Sequence, residues 1–279
     1  MPRPSDATSL ATPSAAFRAA FSRPHGSQAA RCANTRAIMD AEARSRSVPF
    51  SMESNLPDVR HAGAEPVDVS RLPAPQRERW PHAVIWAQRA ADRINTRTRP
   101  HMPAYSSQLN ALIDKKATTR QKLRELRQFV DTFMTHNQDD AACRKGCSHC
   151  CHTPVSVSQT EAAYIGDALG LKPKTMTGWS RGMESGYRVP CPFLVNDACS
   201  IYAQRPIACR IHVNLDQDEL LCRLIPEGPV SVPLMDVKPL QLAWLKIVGE
   251  EAISDIRAFF PKQTARAEAQ ARANLSRAA

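Results

Sequence analysis

Cys143-Arg-Lys-Gly-Cys147-Ser-His-Cys150-Cys151 opens the stretch whose reading decides this fold. Cys191-Pro-Phe-Leu194, Cys199-Ser-Ile-Tyr202, Cys209-Arg210 and Cys222 close it. Eight of the nine cysteines lie in this stretch, and the ninth, Cys32, stands far upstream in Arg- and Pro-rich sequence. A lone buried cysteine reads as a small hydrophobe. Eight of them crowded into charged, glycine-bearing sequence read as metal ligands.

The spacing supplies the physical reason. A thiolate is a soft ligand that suits zinc and iron–sulfur clusters. Cys147-x-x-Cys150 can aim two thiolates at one ion from a tight turn, eased by Gly146. Cys143 lies four residues earlier, and Cys191 and Cys199 can face each other across a small hairpin. Cys209 and Cys222 complete the set, so the candidate ligands are Cys143, Cys147, Cys150, Cys151, Cys191, Cys199, Cys209 and Cys222. Two divisions stay open. Two closed four-thiolate zinc sites would use all eight, whereas one iron–sulfur cluster would use four and leave four for a second ion or for redox chemistry. Adjacent side chains tend to point apart, so Cys150 and Cys151 serve different centres or one of them is not a ligand. His149, His152 and His212 are near enough to substitute, although such histidines are more often surface or hydrogen-bonded groups.

Working outward, Thr118-Thr-Arg-Gln121 has capping-box form. Behind it Leu123, Leu126, Phe129, Val130, Phe133 and Met134 make one apolar helical stripe, read as a core-facing helix packed over the cysteines. Thr153 to Val157 is a short extended piece. Ser158-Gln-Thr-Glu161 is a second capping box, and it starts a helix that Gly170 stops. Residues 172–190 read as a loop with a short helix. Val189–Val195 and Ala198–Tyr202 form the hairpin about an Asn196-Asp197 turn. Residues 226–239 run extended, and Pro239 opens a last core helix. Its apolar face runs from Leu240, Trp244, Ile247 and Val248 through Ala252 and Ile256 to Phe259 and Phe260, with Pro261 ending it.

The flanks differ in kind. Net charge is +10, but residues 1–101 hold 15 Arg, no Lys and 9 acids, while 143–223 hold 9 basic and 7 acidic residues. That is flank charge and not a basic stripe interleaved with aromatics, which argues against nucleic acid as a partner. Pro-rich residues 1–80 show no sustained period, though helical spacing emerges over 81–95. No stretch is apolar enough to span a bilayer, and the start is too polar for a secretory signal. The expected setting is a reducing, cytoplasmic compartment in which thiols bind metal or do redox chemistry rather than form static disulfides. The Arg- and Ser-rich start also has transit-peptide composition, and Met39, Met52 and Met102 are alternative starts.

The ordered combination of Cys143-x3-Cys147-x2-Cys150-Cys151, Val155-Ser-Val-Ser-Gln-Thr-Glu161, Cys191-Pro-Phe-Leu194, Cys199-Ser-Ile-Tyr202, Arg205-Pro206 and Cys209-Arg210 resembles the YkgJ-like cysteine-cluster family of zinc- or iron-chelating CxxCxxCC domains. The resemblance covers about residues 125–225 and implies that the eight cysteines bind metal. Cys222 carries the least of the motif. A related cluster in some flagellin lysine N-methylases implies an iron–sulfur option, but this chain is short and plain outside the cluster. Cys143-x3-Cys147-x2-Cys150 also has the spacing of radical S-adenosylmethionine enzymes. It follows a helix here, and no alternation of strands and helices comes after it.

The expected fold is mostly α: a small, irregular, metal-stapled helical domain with a short β-hairpin and a disordered N-terminal extension. Expected boundaries are an extension over 1–103, the cysteine-cluster domain over 104–260 and an Ala/Arg-rich tail over 261–279. The leading function is chelation of zinc or iron. An iron–sulfur-dependent redox or protein-modifying enzyme, lysine-methylase-like, and a zinc-stabilised interaction module for a protein or nucleic acid are the alternatives. Tyr202 and Phe193 are expected to pack over the cluster. Arg205 and Arg210 either offset thiolate charge or contact an anion.

Overall fold

The computed structural model describes Ser70 and residues 72–178, 189–227 and 230–278. The fold is mostly helical with two small antiparallel sheets. Its α-helices are α1 (Ala74–Thr98), α2 (Met102–Asp114), α3 (Thr119–Thr135), α4 (Gln159–Leu169), α5 (Ile207–Ile211), α6 (Lys238–Val248), α7 (Ile256–Phe259) and α8 (Pro261–Ala278). Four short strands complete it: β1 (Ser156–Ser158), β2 (Leu194–Val195), β3 (Ala198–Cys199) and β4 (Ile253–Asp255).

Both capping boxes are formed. Thr118 and Gln121 satisfy each other's orphan N–H groups at the start of α3, and Ser158 and Glu161 do so for α4. Gly170 stops α4 in the left-handed conformation. Along α3, Leu123, Leu126, Val130 and Phe133 are buried, with Phe129 and Met134 packed at the edge of the same core. The hairpin is also present, with Asn196 and Asp197 at positive φ (48° and 55°) as a two-residue turn requires. Its ladder is only two residue pairs long, Leu194 opposite Cys199 and Val195 opposite Ala198.

Three expectations are corrected. First, α1 lies within the expected extension, yet its Ala87, Ala90, Ala91 and Ile94 are wholly buried in the main core with residues of α2, α3, α5 and α6. The boundary at 104 falls inside α2. An alanine-rich buried face carries too little side-chain bulk to stand out as an apolar stripe, which is why the sequence undersold it. Residues 1–69 and 71 of the expected extension, with Cys32, lie outside the described residues, as do residues 179–188 of the stretch 172–190 in which a short helix is expected. Second, Leu240 to Phe260 is not one helix. Gly249 (φ 58°, ψ −119°) ends α6 in a conformation that a side chain would strain. The chain then forms β4, which pairs with β1 in the register Ser156↔Asp255, Val157↔Ser254 and Ser158↔Ile253. Third, Pro261 begins α8 instead of closing a helix, as its missing N–H permits at a first turn. Of the stretch expected to run extended over 226–239, residues 226–227 are 3-10 helix and 238–239 begin α6, while Leu234 is bridged to Asn214.

Glu161 shows how tightly the cysteine-bearing segments are tied to the helices. Its carboxylate is buried and accepts from the Ser158 N–H (3.2 Å), the Ile207 N–H (2.9 Å) and the Trp244 indole (2.9 Å). Burial pushes its pKa up, against the pull of those three donors. Glu161 therefore joins α4, α5 and α6 through one side chain. Its replacement by alanine strands three buried donors and should cost about 3 kcal/mol or more in chemical denaturation. A chain begun at residue 104 lacks the buried face of α1 and should lose its cooperative thermal transition.

Candidate metal centre

Local structure brings the eight cysteines together from four directions. Gly146, at φ +100°, turns the chain between Cys143 and Cys147. A single turn of 3-10 helix, His149–His152, then presents Cys150 and Cys151. The hairpin carries Cys191 and Cys199, and α5 carries Cys209 behind the helix-starting Pro206. Cys222 opens a second 3-10 segment, Cys222–Glu227, that lies against the His149–His152 turn. All eight are free thiols, and Cys191 and Cys222 are the most buried.

Their mutual influence falls into two overlapping sets. Burial, opposed by the Asn214 main-chain donor and helped by charge on Cys150 and Cys147, pushes the Cys143 thiol up to about 11. Burial likewise raises Cys222, helped by charge on Cys143, Cys147 and Cys150. Cys147 is raised by burial and then by Cys150. On the other side, burial raises Cys199 and Cys209, with charge on Cys191 and Cys150 adding to both. The nearby sulfurs of Cys150 and Cys191 push the Cys151 thiol up, and the same interaction draws Cys150 down. Cys150 and Cys151 therefore lie close, contrary to the expectation that they point apart. Cys150 stands at the junction of the two sets.

Each set is lined with N–H donors aimed at sulfur. Cys147 accepts from the His149 main-chain N–H, Cys191 from that of Phe193 and Cys199 from that of Ile201. These are turns in which the second residue onward donates back to the thiol. Cys143 accepts from the Asn214 N–H at 3.2 Å. Such donors stabilise thiolate over thiol and are the second shell that metal-bound sulfur requires. Among the described residues no three His, Cys, Asp or Glu side chains already stand as a coordination shell. The donor set and its N–H lining fit a thiophilic ion.

The cations divide by role. Arg205 stacks over Tyr202 at 3.6 Å from the ring centroid and lowers the pKa of Cys143, Cys150, Cys199 and Cys209. Arg210, also expected to balance thiolate charge, turns away. It is buried against Asp131, the Arg205 carbonyl (2.8 Å) and the Ala203 carbonyl (2.5 Å). Phe193 packs edge-on against Phe260 at 5.0 Å in a second core that includes Cys191. Burial lowers the pKa of His149 and His152, and the buried Nδ1 of His152 has no hydrogen-bond partner. His212 lies close enough to Cys150 to lower its pKa.

Sequence reading missed Arg257. Its buried guanidinium donates to the carbonyls of Cys151 (2.9 Å), Thr153 (3.1 Å) and Val189 (2.9 Å) and pairs with Asp255 at 3.1 Å. Asp255 in turn accepts from the Val155 N–H at 2.8 Å. The pair thus fixes both chain segments that enter the second set. An Asp-x-Arg pattern in an apolar run was its only sequence signal. A surface cavity of about 320 Å³, lined by Arg79, His82, Trp86 and Gln217 among others, includes none of the cysteines.

Residues 142–224 match the family model CxxCxxCC, described as "Putative zinc- or iron-chelating domain". That match spans all eight of these cysteines. No curated protein and no solved structure matches the chain. Among the described residues no helix is long and apolar enough to cross a membrane.

Replacing Arg257 by alanine leaves Asp255 charged, buried and unpaired, and should destabilise the fold by about 3–5 kcal/mol. Denaturant titration of the metal-free and metal-loaded variant measures the loss, which should be present in both states.

Proposed function

We propose that this chain chelates zinc or iron through eight cysteines arranged as two adjoining four-thiolate sets. Cys143, Cys147, Cys150 and Cys222 form the first, and Cys151, Cys191, Cys199 and Cys209 form the second. The observation that carries this reading is where the segments meet: the Cys222–Glu227 segment lies against the His149–His152 turn on one side, and on the other the Cys191 N–H donates to the Cys151 carbonyl at 2.7 Å. Electrostatic influence agrees in part, since charge on Cys143 and Cys147 acts on Cys222 and Cys191 acts on Cys151, Cys199 and Cys209, with Cys150 acting on members of both sets. The family match over 142–224 supports the same chemistry.

A bound ion would supply positive charge that lets neighbouring buried thiols ionise together. The protein's own residues do the rest. Main-chain N–H groups orient the sulfurs, Arg205 and Arg257 offset thiolate charge, and the Phe193–Phe260 contact excludes water from one side. Four thiolates from distant segments close a shell, so metal binding contributes directly to folding. The metal-binding unit we assign is the helical body that holds these segments, including α1 and α2. The site is proposed as a closed chelate, with His149, His152 and His212 outside it.

Substitution of Cys147 or Cys199 by serine tests the division. Each should remove about one of two metal equivalents, four thiolates serving each ion, and lower the yield of folded protein. Cys32→Ser should change neither. Metal analysis with an absorption spectrum on anaerobically purified protein reads the result and separates colourless zinc from a coloured iron centre. Full metal content in Cys147→Ser protein would overturn the assignment. Because burial raises most of these thiols, metal uptake should release protons, which calorimetry in buffers of different ionisation enthalpy detects.

A further inference from the structure

Asn214 stands behind two of the eight sulfurs and belongs to neither sequence motif. Its main-chain N–H donates to Cys143 Sγ at 3.2 Å, and its side-chain Nδ2 donates to Cys222 Sγ at 3.4 Å. The residue is 1% exposed, so water does not compete for either bond. Its amide orientation is fixed from the other side. The Asp216 N–H donates to Asn214 Oδ1 at 2.9 Å, which turns Nδ2 toward Cys222 and the Asp218 carbonyl (3.1 Å). Asp216 is itself buried and held by Arg79 of α1 through bonds of 2.8 and 3.2 Å.

A neutral thiol is a poor acceptor, and a buried amide gains little by being spent on one. A thiolate is a charged acceptor for which an N–H bond is worth about twice a neutral one. The arrangement makes sense when Cys143 and Cys222 carry charge, which is the metal-bound condition. We propose that Asn214 is the positioning residue of the first sulfur set. It holds Cys143 and the remote Cys222 at one ion and stabilises both as thiolates. The inference rests on the chelation reading above and adds that the two sets are unequal, because Asn214 serves only one of them. It also gives α1 a role at the site, since Arg79 steadies Asn214 through Asp216.

The test uses the full chain loaded with NMR-active cadmium as a thiophilic probe. Coupling through N–H···S–Cd links should connect both the main-chain and side-chain amide protons of Asn214 to one cadmium. The His149 N–H should couple to that same ion, and the Phe193 N–H to the other. The variant Asn214→Asp keeps the Oδ1 acceptor for Asp216 and replaces the Nδ2 donor by a carboxylate oxygen. It should weaken one of the two ions by about 10–100-fold and leave the other unchanged. Asn214 amides that couple to no cadmium, or to different ions, overturn the proposal, as does a variant that affects both ions equally or neither. If Asn214→Asp does not fold, the couplings in the native chain still decide. A native chain that takes up no cadmium overturns the chelation reading as well, whereas two bound ions without Asn214 coupling overturn this inference alone.

Discussion

Eight buried or half-buried thiols within electrostatic reach of one another cannot all ionise unless something supplies positive charge, and that constraint bears on the whole architecture of this chain. Burial raises Cys143, Cys147, Cys199, Cys209 and Cys222, and each sulfur that ionises makes its neighbours harder to ionise. Arg205 and Arg257 offset part of this charge but not that of eight thiolates, and Arg257 is already committed to Asp255. In a patch of this kind protons or metal ions must complete the balance. The N–H groups that point at sulfur suit the metal-bound state that we propose.

The helical body exists to hold that patch in register. The segments that bear cysteines have almost no regular structure of their own: short 3-10 turns, a hairpin of two residue pairs and a five-residue helix. Such segments cannot bury enough apolar surface to order themselves. They borrow order from neighbours through single buried polar side chains. Glu161 ties α5 to α4 and α6, Arg257 ties the segments of Cys151 and Val189 to β4, and Arg79 reaches from α1 to Asp216. Each link joins residues far apart in the chain, so metal ligation and helix packing reinforce each other.

What could be read from the sequence divides along the same line. Local signals translated directly: both capping boxes, the Gly170 stop, the Asn196-Asp197 turn and the α3 stripe depend on residues within a few positions of one another. The cysteine-rich stretch was legible as the span that the family model matches. How 143–151 meets 222 on one side and 191–209 on the other was not, because those contacts join segments far apart in the chain. Pairing of β1 with β4 was hidden by helical spacing that continues through Ala252 and Ile256, and only Gly249 marks the break. Asn214 and Arg257 act on partners about seventy to a hundred residues away, and nothing in their local sequence announces it.

X-ray absorption at the metal edge of the purified native chain tests the central claim most directly. The account predicts a first shell of four sulfurs per ion, at about 2.3 Å if the metal is zinc, with no nitrogen or oxygen neighbour. A shell that contains imidazole nitrogen or water oxygen would contradict it, since the two four-thiolate sets would then not be the metal's only ligands.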